Sequence, residues 1–103
     1  MTDLNNLDFL ENFDFDGPDH KVHIRLHQRN SRKTITMIYG IDEKYDYNKL
    51  MKVFKREFAC NGNVTNTNMY GHTIQLQGDH RDNVMDFLID VGICNKSNIK
   101  IHG

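Results

Sequence analysis

The feature that most constrains the fold is a change of hydrophobic period that occurs twice along the chain. Val22, Ile24 and Leu26 alternate with polar residues, the period of a half-buried strand. A second strand is predicted where Ile35, Met37 and Tyr39 alternate with Thr34, Thr36 and Ile38. The short polar link at residues 28–33 predicts a hairpin between these strands. A helical apolar stripe follows, formed by Tyr47, Leu50, Met51, Phe54 and Phe58.

The same rhythm returns in the second half of the chain. Residues 63–67 and 72–77 predict a second pair of strands, and residues 99–102 predict a last short strand. Between them lies a second helix, whose predicted buried stripe is Val84, Phe87, Leu88 and Val91.

Capping residues mark the ends of both predicted helices. Asp46 is expected to cap the first helix, because its carboxylate can accept a hydrogen bond from a free amide of the first turn. Asn61 and Gly62 are expected to end that helix, since both tolerate a left-handed conformation. Asp79 is the expected cap of the second helix, and Gly92 its expected end.

The element order, β-β-α-β-β-α-β, predicts an α+β fold. Each helix has one apolar stripe, so the simplest packing is a two-layer sandwich: one mixed, mostly antiparallel five-stranded sheet with both helices on one face. A chain of 103 residues is long enough for one domain, which we place at residues 21–103. The opposite sheet face is expected to carry His, Arg, Thr and Gln side chains and to meet water or a partner.

Charge is distributed unevenly. Lys and Arg number 13 and Asp and Glu number 14, yet residues 1–20 hold six of the acids and none of the basic residues. Residues 21–103 therefore carry a net charge of +5. This excess favours a polyanionic partner, and it is also compatible with an ordinary solvated surface.

Residues 1–20 are predicted to form a flexible acidic tail. Its acids surround five large apolar residues, and such a segment can dock on a partner protein. A tail that folds back on the basic body explains the same composition equally well. The apolar residues are Leu7, Phe9, Leu10, Phe13 and Phe15.

The sequence lacks the residue patterns typical of catalysis or metal binding. His23 and His27 share a strand face but are about 13 Å apart at ~3.3 Å per residue, too far for one ion. Cys60 and Cys94 lack a Cys-x-x-Cys neighbour, and we expect reduced thiols in a cytoplasmic protein. No apolar run is long enough to span a membrane, and no signal-peptide pattern is present. We therefore expect no metal, no cofactor and no enzymatic activity.

Two basic clusters are candidate contacts for RNA. One is the predicted first loop, and the other is the face of the first helix opposite its apolar stripe. Basic side chains that contact phosphates, with neutral hydrogen bonds from Asn and Ser, suit a structured RNA recognised by its shape. Each cluster alone is a weak signal, because surface helices commonly carry lysines. The residues are Arg29, Asn30, Ser31, Arg32 and Lys33 in the loop, and Lys49, Lys52, Lys55 and Arg56 on the helix.

Four segments resemble the eukaryotic translation initiation factor 1 family. Residues 22–25 and 28–34 resemble its first hairpin, residues 58–62 the end of its first helix, and residues 99–103 its last strand. The most specific stretch is Tyr70-Gly71, followed by Ile74-Gln75-Leu76-Gln77-Gly78-Asp79 and Arg81. The resemblance covers about residues 20–103.

The resemblance implies a factor that binds the small ribosomal subunit near the P site and catalyses nothing. Such a factor keeps the preinitiation complex open for scanning, disfavours wrong codons and leaves when a start codon is paired. The two basic clusters would contact ribosomal RNA. The factor would act as a monomer in the cytoplasm, with the acidic tail as a candidate contact for other initiation factors. The second loop would lie against the initiator tRNA, through Asn66, Thr67, Asn68, Met69, Tyr70, Gly71 and His72.

Three departures from the family pattern keep alternatives open. Ser31 stands where the family usually has Gly, the first helix is less basic, and the second loop is neutral where the family usually has an acid. These differences fit a divergent or virus-encoded member. The neutral second loop motivates one alternative, a ribosome-binding mimic without codon discrimination. The Phe-rich acidic tail motivates another, a protein-interaction module that acts through residues 1–20.

Overall fold

The computed structural model describes residues 21–102, so the predicted acidic tail lies outside the described residues. Within them the elements follow the predicted order. They are β1 (Val22–Asn30), β2 (Lys33–Tyr39), α1 (Tyr47–Phe58), β3 (Gly62–Thr67), β4 (Gly71–Gln77), α2 (Arg81–Asp90), a 3₁₀ turn (Lys96–Asn98) and β5 (Ile99–His102).

The strands form a single five-stranded sheet in the order β3-β4-β2-β1-β5. The pairs β1/β2, β2/β4 and β3/β4 are antiparallel, whereas β1 and β5 are parallel. Phe54 of α1 and Leu88 of α2 belong to one core cluster with Ile24 and Ile38 of the sheet. Both helices therefore cover the same face, and the predicted two-layer α+β sandwich is confirmed.

The helix-free face of the sheet was expected to be polar, but β2 places large apolar side chains on it. Ile38 pairs with Ile24 on β1 and with Ile74 on β4, and all three are fully buried beneath the helices. The alternate residues of β2 consequently lie on the helix-free face, because successive strand residues point to opposite sides. Three large side chains thus join the His, Arg, Thr and Gln residues expected there, namely Ile35, Met37 and Tyr39.

Thr36 is a polar residue in the helix-covered layer. It is completely buried, and its Oγ1 donates a hydrogen bond to the carbonyl oxygen of Gly78 at 2.6 Å. The same oxygen accepts a hydrogen bond from the backbone N–H of His80 at 2.8 Å. Thr36 thereby ties β2 to the turn that leads into α2.

Thr36→Val is expected to lower the free energy of unfolding by about 1–3 kcal/mol, because two partly buried backbone groups lose their hydrogen-bond partner at unchanged side-chain volume. Urea unfolding followed by circular dichroism measures this loss. Thr34→Val is the matched control at a half-buried position of the same strand, with an expected change below about 0.5 kcal/mol. Equal losses in the two variants would contradict the role of the Thr36 hydroxyl.

The start of α1 is confirmed and its end is corrected. Asp46 is the N-cap, and its Oδ1 accepts hydrogen bonds from the N–H groups of Asn48 at 2.9 Å and Lys49 at 3.3 Å. The helix ends earlier than predicted, at Phe58, and its C-cap Ala59 adopts a left-handed conformation with φ of 51°. Gly62 serves β3 instead, because a Cβ there would lie 2.6 Å from the carbonyl oxygen of Gln75.

The start of α2 differs from the prediction. His80, not Asp79, is its N-cap residue. The Asp79 carboxylate is held by Arg81, with Nε to Oδ1 and Nη2 to Oδ2 both at 2.9 Å. The hydrogen bond from Arg81 lowers the pKa of Asp79 from its ordinary value.

Helix α2 ends one residue before Val91, the last residue of its predicted buried stripe. Asp90 is its last residue, so Val91 lies beyond the helical period and is 53% exposed instead of buried. Gly92 follows with a φ of +80°, which confirms that residue as the end of the helical segment.

Candidate RNA-contact surfaces

The first loop is a tight turn between β1 and β2, closed by a side chain. Asn30 Oδ1 accepts hydrogen bonds from the backbone N–H groups of Arg32 at 2.8 Å and Lys33 at 3.0 Å. The β1/β2 register shifts between Gln28 and Asn30, which gives the hairpin an irregular tip. All five predicted loop residues, 29–33, are exposed.

The serine in this turn does not require a glycine-like backbone. Within residues 21–102, Ala59 is the only non-glycine residue with a positive φ, so Ser31 is not left-handed. The turn is therefore compatible with serine at this position, because the Asn30 carboxamide closes it.

The basic face of α1 is open to solvent. Lys49, Lys52 and Arg56 are exposed and Lys55 is half-buried, while the apolar stripe on the other side packs against the core. Arg56 has a weak ion pair with Glu57 at 3.9 Å. Across the described part of the chain, no ion pair engages the other basic residues of the two clusters. Within residues 21–102, these charges are therefore not neutralised by an ion pair.

The first loop and the end of α1 lie at the same end of the sheet. The N–H of Gly78 donates to the carbonyl oxygen of Thr34 at 2.8 Å, next to the loop. The N–H of Gln77 donates to the carbonyl oxygen of Asn61 at 2.8 Å, just after α1. These bonds place the start of β2 beside the residues that follow α1. The structure thus brings Lys55 and Arg56 to the end that carries the first loop, and leaves Lys49 at the far end of the helix.

The second loop lies at the opposite end of the sheet. Of the seven residues predicted for it, only residues 68–70 form the turn, because residues 66–67 belong to β3 and residues 71–72 to β4. Met69 at the tip is 77% exposed. The seven residues of β4 separate this loop from the first-loop end by about 20 Å, at ~3.3 Å per residue.

A row of rings on the helix-free face was missed by sequence reasoning. Tyr70 stacks on Tyr39 with ring centroids 4.1 Å apart, and Tyr39 stacks on His23 at 5.1 Å. His23 stacks in turn on His102 at 5.3 Å, with ring nitrogens 3.1 Å apart. The available signal was the predicted β1/β2 hairpin, whose observed register pairs His23 with Tyr39 directly.

Arg25 joins two members of this row. Its Nε donates a hydrogen bond to the hydroxyl oxygen of Tyr39 at 3.3 Å, and its guanidinium carbon lies 5.7 Å from the ring centroid of Tyr70. The hydrogen bond to Tyr39 raises the pKa of Arg25, so the group stays charged. A charged guanidinium over a ring face stabilises the stack by a cation–π contact.

Acidic side chains lie beside the second loop although the loop itself has none. A cavity of about 320 Å³ separates the loop from residues 40–47. Its lining includes Asp42, Glu43, Tyr70 and His72. Both acids are exposed, so negative charge is present next to the loop but comes from another segment.

Metal ligands and reactive thiols do not converge in the described residues. Within residues 21–102 there is no group of three or more His, Cys, Asp or Glu residues that could hold an ion. Cys60 and Cys94 are free thiols, and burial raises the pKa of each. The helices of the described chain are too short or too polar to cross a membrane.

Comparison with known proteins identifies the family. Residues 18–94 match the family model described as Translation initiation factor SUI1. This chain belongs to the SUI1 family. It is 49% identical over 87 residues to Eukaryotic translation initiation factor 1 of Mus musculus, and 48% identical to that of Homo sapiens. Each match covers 84% of this chain and 77% of the relative.

A plant relative agrees with this assignment, and a solved structure shares the fold. The Protein translation factor SUI1 homolog of Salix bakko is 51% identical over 87 residues, covering 84% of this chain and 77% of that protein. The C-terminal domain of human eIF2D has the same fold, with a TM-score of 0.68 at 16% identity. That match covers 80% of this chain and 42% of the solved one. SUI1 proteins are translation initiation factors and not enzymes, so the resemblance and the predicted lack of catalysis are confirmed.

Proposed function

We propose that this SUI1-family protein binds the small ribosomal subunit near the P site, supports scanning and enforces start-codon selection, and leaves when the start codon is paired. One observation carries the proposal. The exposed basic first loop and the basic end of α1 lie together at one end of the sheet, and the second loop projects from the other end.

The first-loop end is suited to ribosomal RNA. Arg32 lies in a turn that the Asn30 side chain closes, and Arg29 and Lys33 lie on the strand ends beside it, so the backbone of the first loop is fixed before binding. Guanidinium and ammonium groups on a narrow turn can contact phosphates in a groove. The inner rings of the helix-free face cover one another, which favours phosphate and shape recognition over base stacking there.

The second-loop end is suited to opposing the initiator tRNA. Its exposed Met69 extends beyond the sheet, and an initiator tRNA fully settled in the P site would compete for the same space. Asp42 and Glu43 add negative charge beside the loop, which repels tRNA phosphates. Correct codon pairing supplies the energy that displaces the factor, so discrimination arises from a repulsive element.

The proposal also covers the cellular location, the oligomeric state and the partners of the protein. We place the protein in the cytoplasm as a monomer. Residues 1–20, which hold six acids among five large apolar residues, are proposed as a docking segment for other initiation factors.

Two measurements on the wild-type protein test the proposal. Binding of the fluorescently labelled protein to purified eukaryotic small subunits should weaken about 50- to 150-fold between roughly 50 and 200 mM salt, as expected for about four phosphate contacts. Added to a scanning system depleted of the endogenous factor, the protein should lower initiation at near-cognate codons relative to AUG. Absence of salt-dependent binding by folded protein would refute the ribosomal assignment.

The neutral second loop favours one alternative, a mimic that binds the subunit without discriminating codons. The same two measurements separate it from the main proposal. A mimic binds with the same salt dependence but leaves the near-cognate to AUG ratio unchanged.

A further inference from the structure

The second loop is anchored to the sheet through one ring. Tyr70 stacks on Tyr39 with a centroid distance of 4.1 Å and an interplanar angle of 20°. Arg25 lies over the same Tyr70 ring and holds the Tyr39 hydroxyl, so three side chains from the loop, β2 and β1 form one unit. We call this unit the Tyr70 clamp.

The clamp continues into the backbone of the turn. The N–H of Tyr70 donates to Thr67 Oγ1 at 2.9 Å, and Gly71 adopts a left-handed φ of +72° immediately afterwards. The Thr73 hydroxyl also donates to the carbonyl oxygen of Gly71 at 3.1 Å. Both flanks of the turn are thereby fixed to the strands that follow and precede it.

The clamp gives the two neighbouring loop residues opposite environments. Tyr70 is half-buried against the sheet, whereas Met69, one position earlier, is 77% exposed. Because the Tyr70 ring is held inward, the chain before it is directed outward. Without the ring, the turn keeps only backbone and hydroxyl contacts, and its tip can sample other directions.

We propose that Tyr70 is a positioning residue that sets the direction in which the second loop projects Asn68 and Met69. Resting on the proposed function, the inference is that this direction determines how strongly the factor opposes initiation at non-AUG codons. A loop tip held in one position clashes with an initiator tRNA that is fully placed in the P site, whereas a mobile tip can move away and avoid the clash.

The test compares Tyr70→Ala with Tyr70→Phe, which keeps the ring and removes only the hydroxyl. Three quantities are measured: backbone amide order parameters of residues 67–71 by NMR relaxation, affinity for purified small subunits, and the near-cognate to AUG initiation ratio at saturating factor. In Tyr70→Ala we expect lower order in the loop, subunit affinity within about twofold of wild type, and a ratio raised by about two- to tenfold, the factor for one lost aromatic contact. Tyr70→Phe should match wild type in all three.

The outcomes separate this inference from the proposed function. If wild type suppresses near-cognate initiation and Tyr70→Ala suppresses it equally, the positioning role is overturned and the proposed function stands. Unchanged order parameters in Tyr70→Ala also overturn it, because the clamp would then not hold the loop. If wild type itself does not alter codon choice, the proposed function fails, and the inference fails with it.

Discussion

Replacing Arg32 and Lys33 together by glutamate is expected to weaken binding to purified small ribosomal subunits by about 100-fold. Two charge-assisted hydrogen bonds to phosphate, at about 1.5 kcal/mol each, account for this factor, and the new carboxylates add repulsion. Both side chains are exposed at the tip of the first loop. The turn is closed by Asn30, through backbone N–H groups that the substitutions retain, so the fold should persist.

A charge-matched variant controls for the general field of the protein. Lys21→Glu with Lys96→Glu changes the net charge equally at two exposed positions, near the sheet end away from the first loop. We expect this control to weaken binding less than about fivefold, since exposed distant charges are screened at physiological salt. Fluorescence titration against labelled subunits measures both variants. Equal weakening would show that total charge, and not the first loop, governs binding.

Phe54→Ala is expected to lower the free energy of unfolding by about 3–5 kcal/mol, a large part of the ~5–15 kcal/mol typical of a whole domain. Phe54 has no exposed area. Its ring stacks on Phe58 with centroids 5.6 Å apart and meets Phe87 of α2 edge to face at 5.3 Å. Phe54 therefore joins α1 to α2 over the sheet.

Phe54→Leu is the graded control for that prediction. Leucine keeps much of the buried volume but loses the ring contacts, and we expect a loss of about 1–2 kcal/mol. Chemical denaturation at equilibrium, followed by far-UV circular dichroism, compares the three proteins. A loss from alanine no larger than that from leucine would mean that the core closes around the missing ring.

Sequence periodicity was sufficient to predict the element order, both hairpins and most of the core. Each helix has one apolar stripe, and a short polar link marks each turn between paired strands. Periodicity was not sufficient to predict which face of β2 packs against the helices. Residues 34–39 carry apolar side chains on both alternating sets, so the period alone does not select the side that faces the helices. The strand partners decide it, since Ile38 lies between Ile24 and Ile74.

The candidate site was located only in part. The sequence and the family resemblance indicated the two loops and the basic helix face. Their arrangement at opposite ends of the sheet, and the Tyr70 clamp, depend on the strand order β4-β2-β1, which brings together residues far apart in the chain. The predicted N-cap of α2 was wrong for a local reason, because the Asp79 carboxylate mainly binds the guanidinium of Arg81, and the helix begins one residue later, after His80. The roles of the loop residues stay predictions.

The position of β4 has a mechanical consequence. Strand β4 starts at the second loop, ends near the first, and is hydrogen-bonded on both sides, to β2 and to β3. A force applied to the second loop along β4 would act parallel to the strand, in shear, on its hydrogen bonds to β2 and to β3. All of these hydrogen bonds would carry the force together, so they would not break one at a time. The sheet would then move as a rigid body. Under the proposed function, pressure from the initiator tRNA on the second loop would reach the first loop through this stiff sheet, so release from the ribosomal subunit would be abrupt.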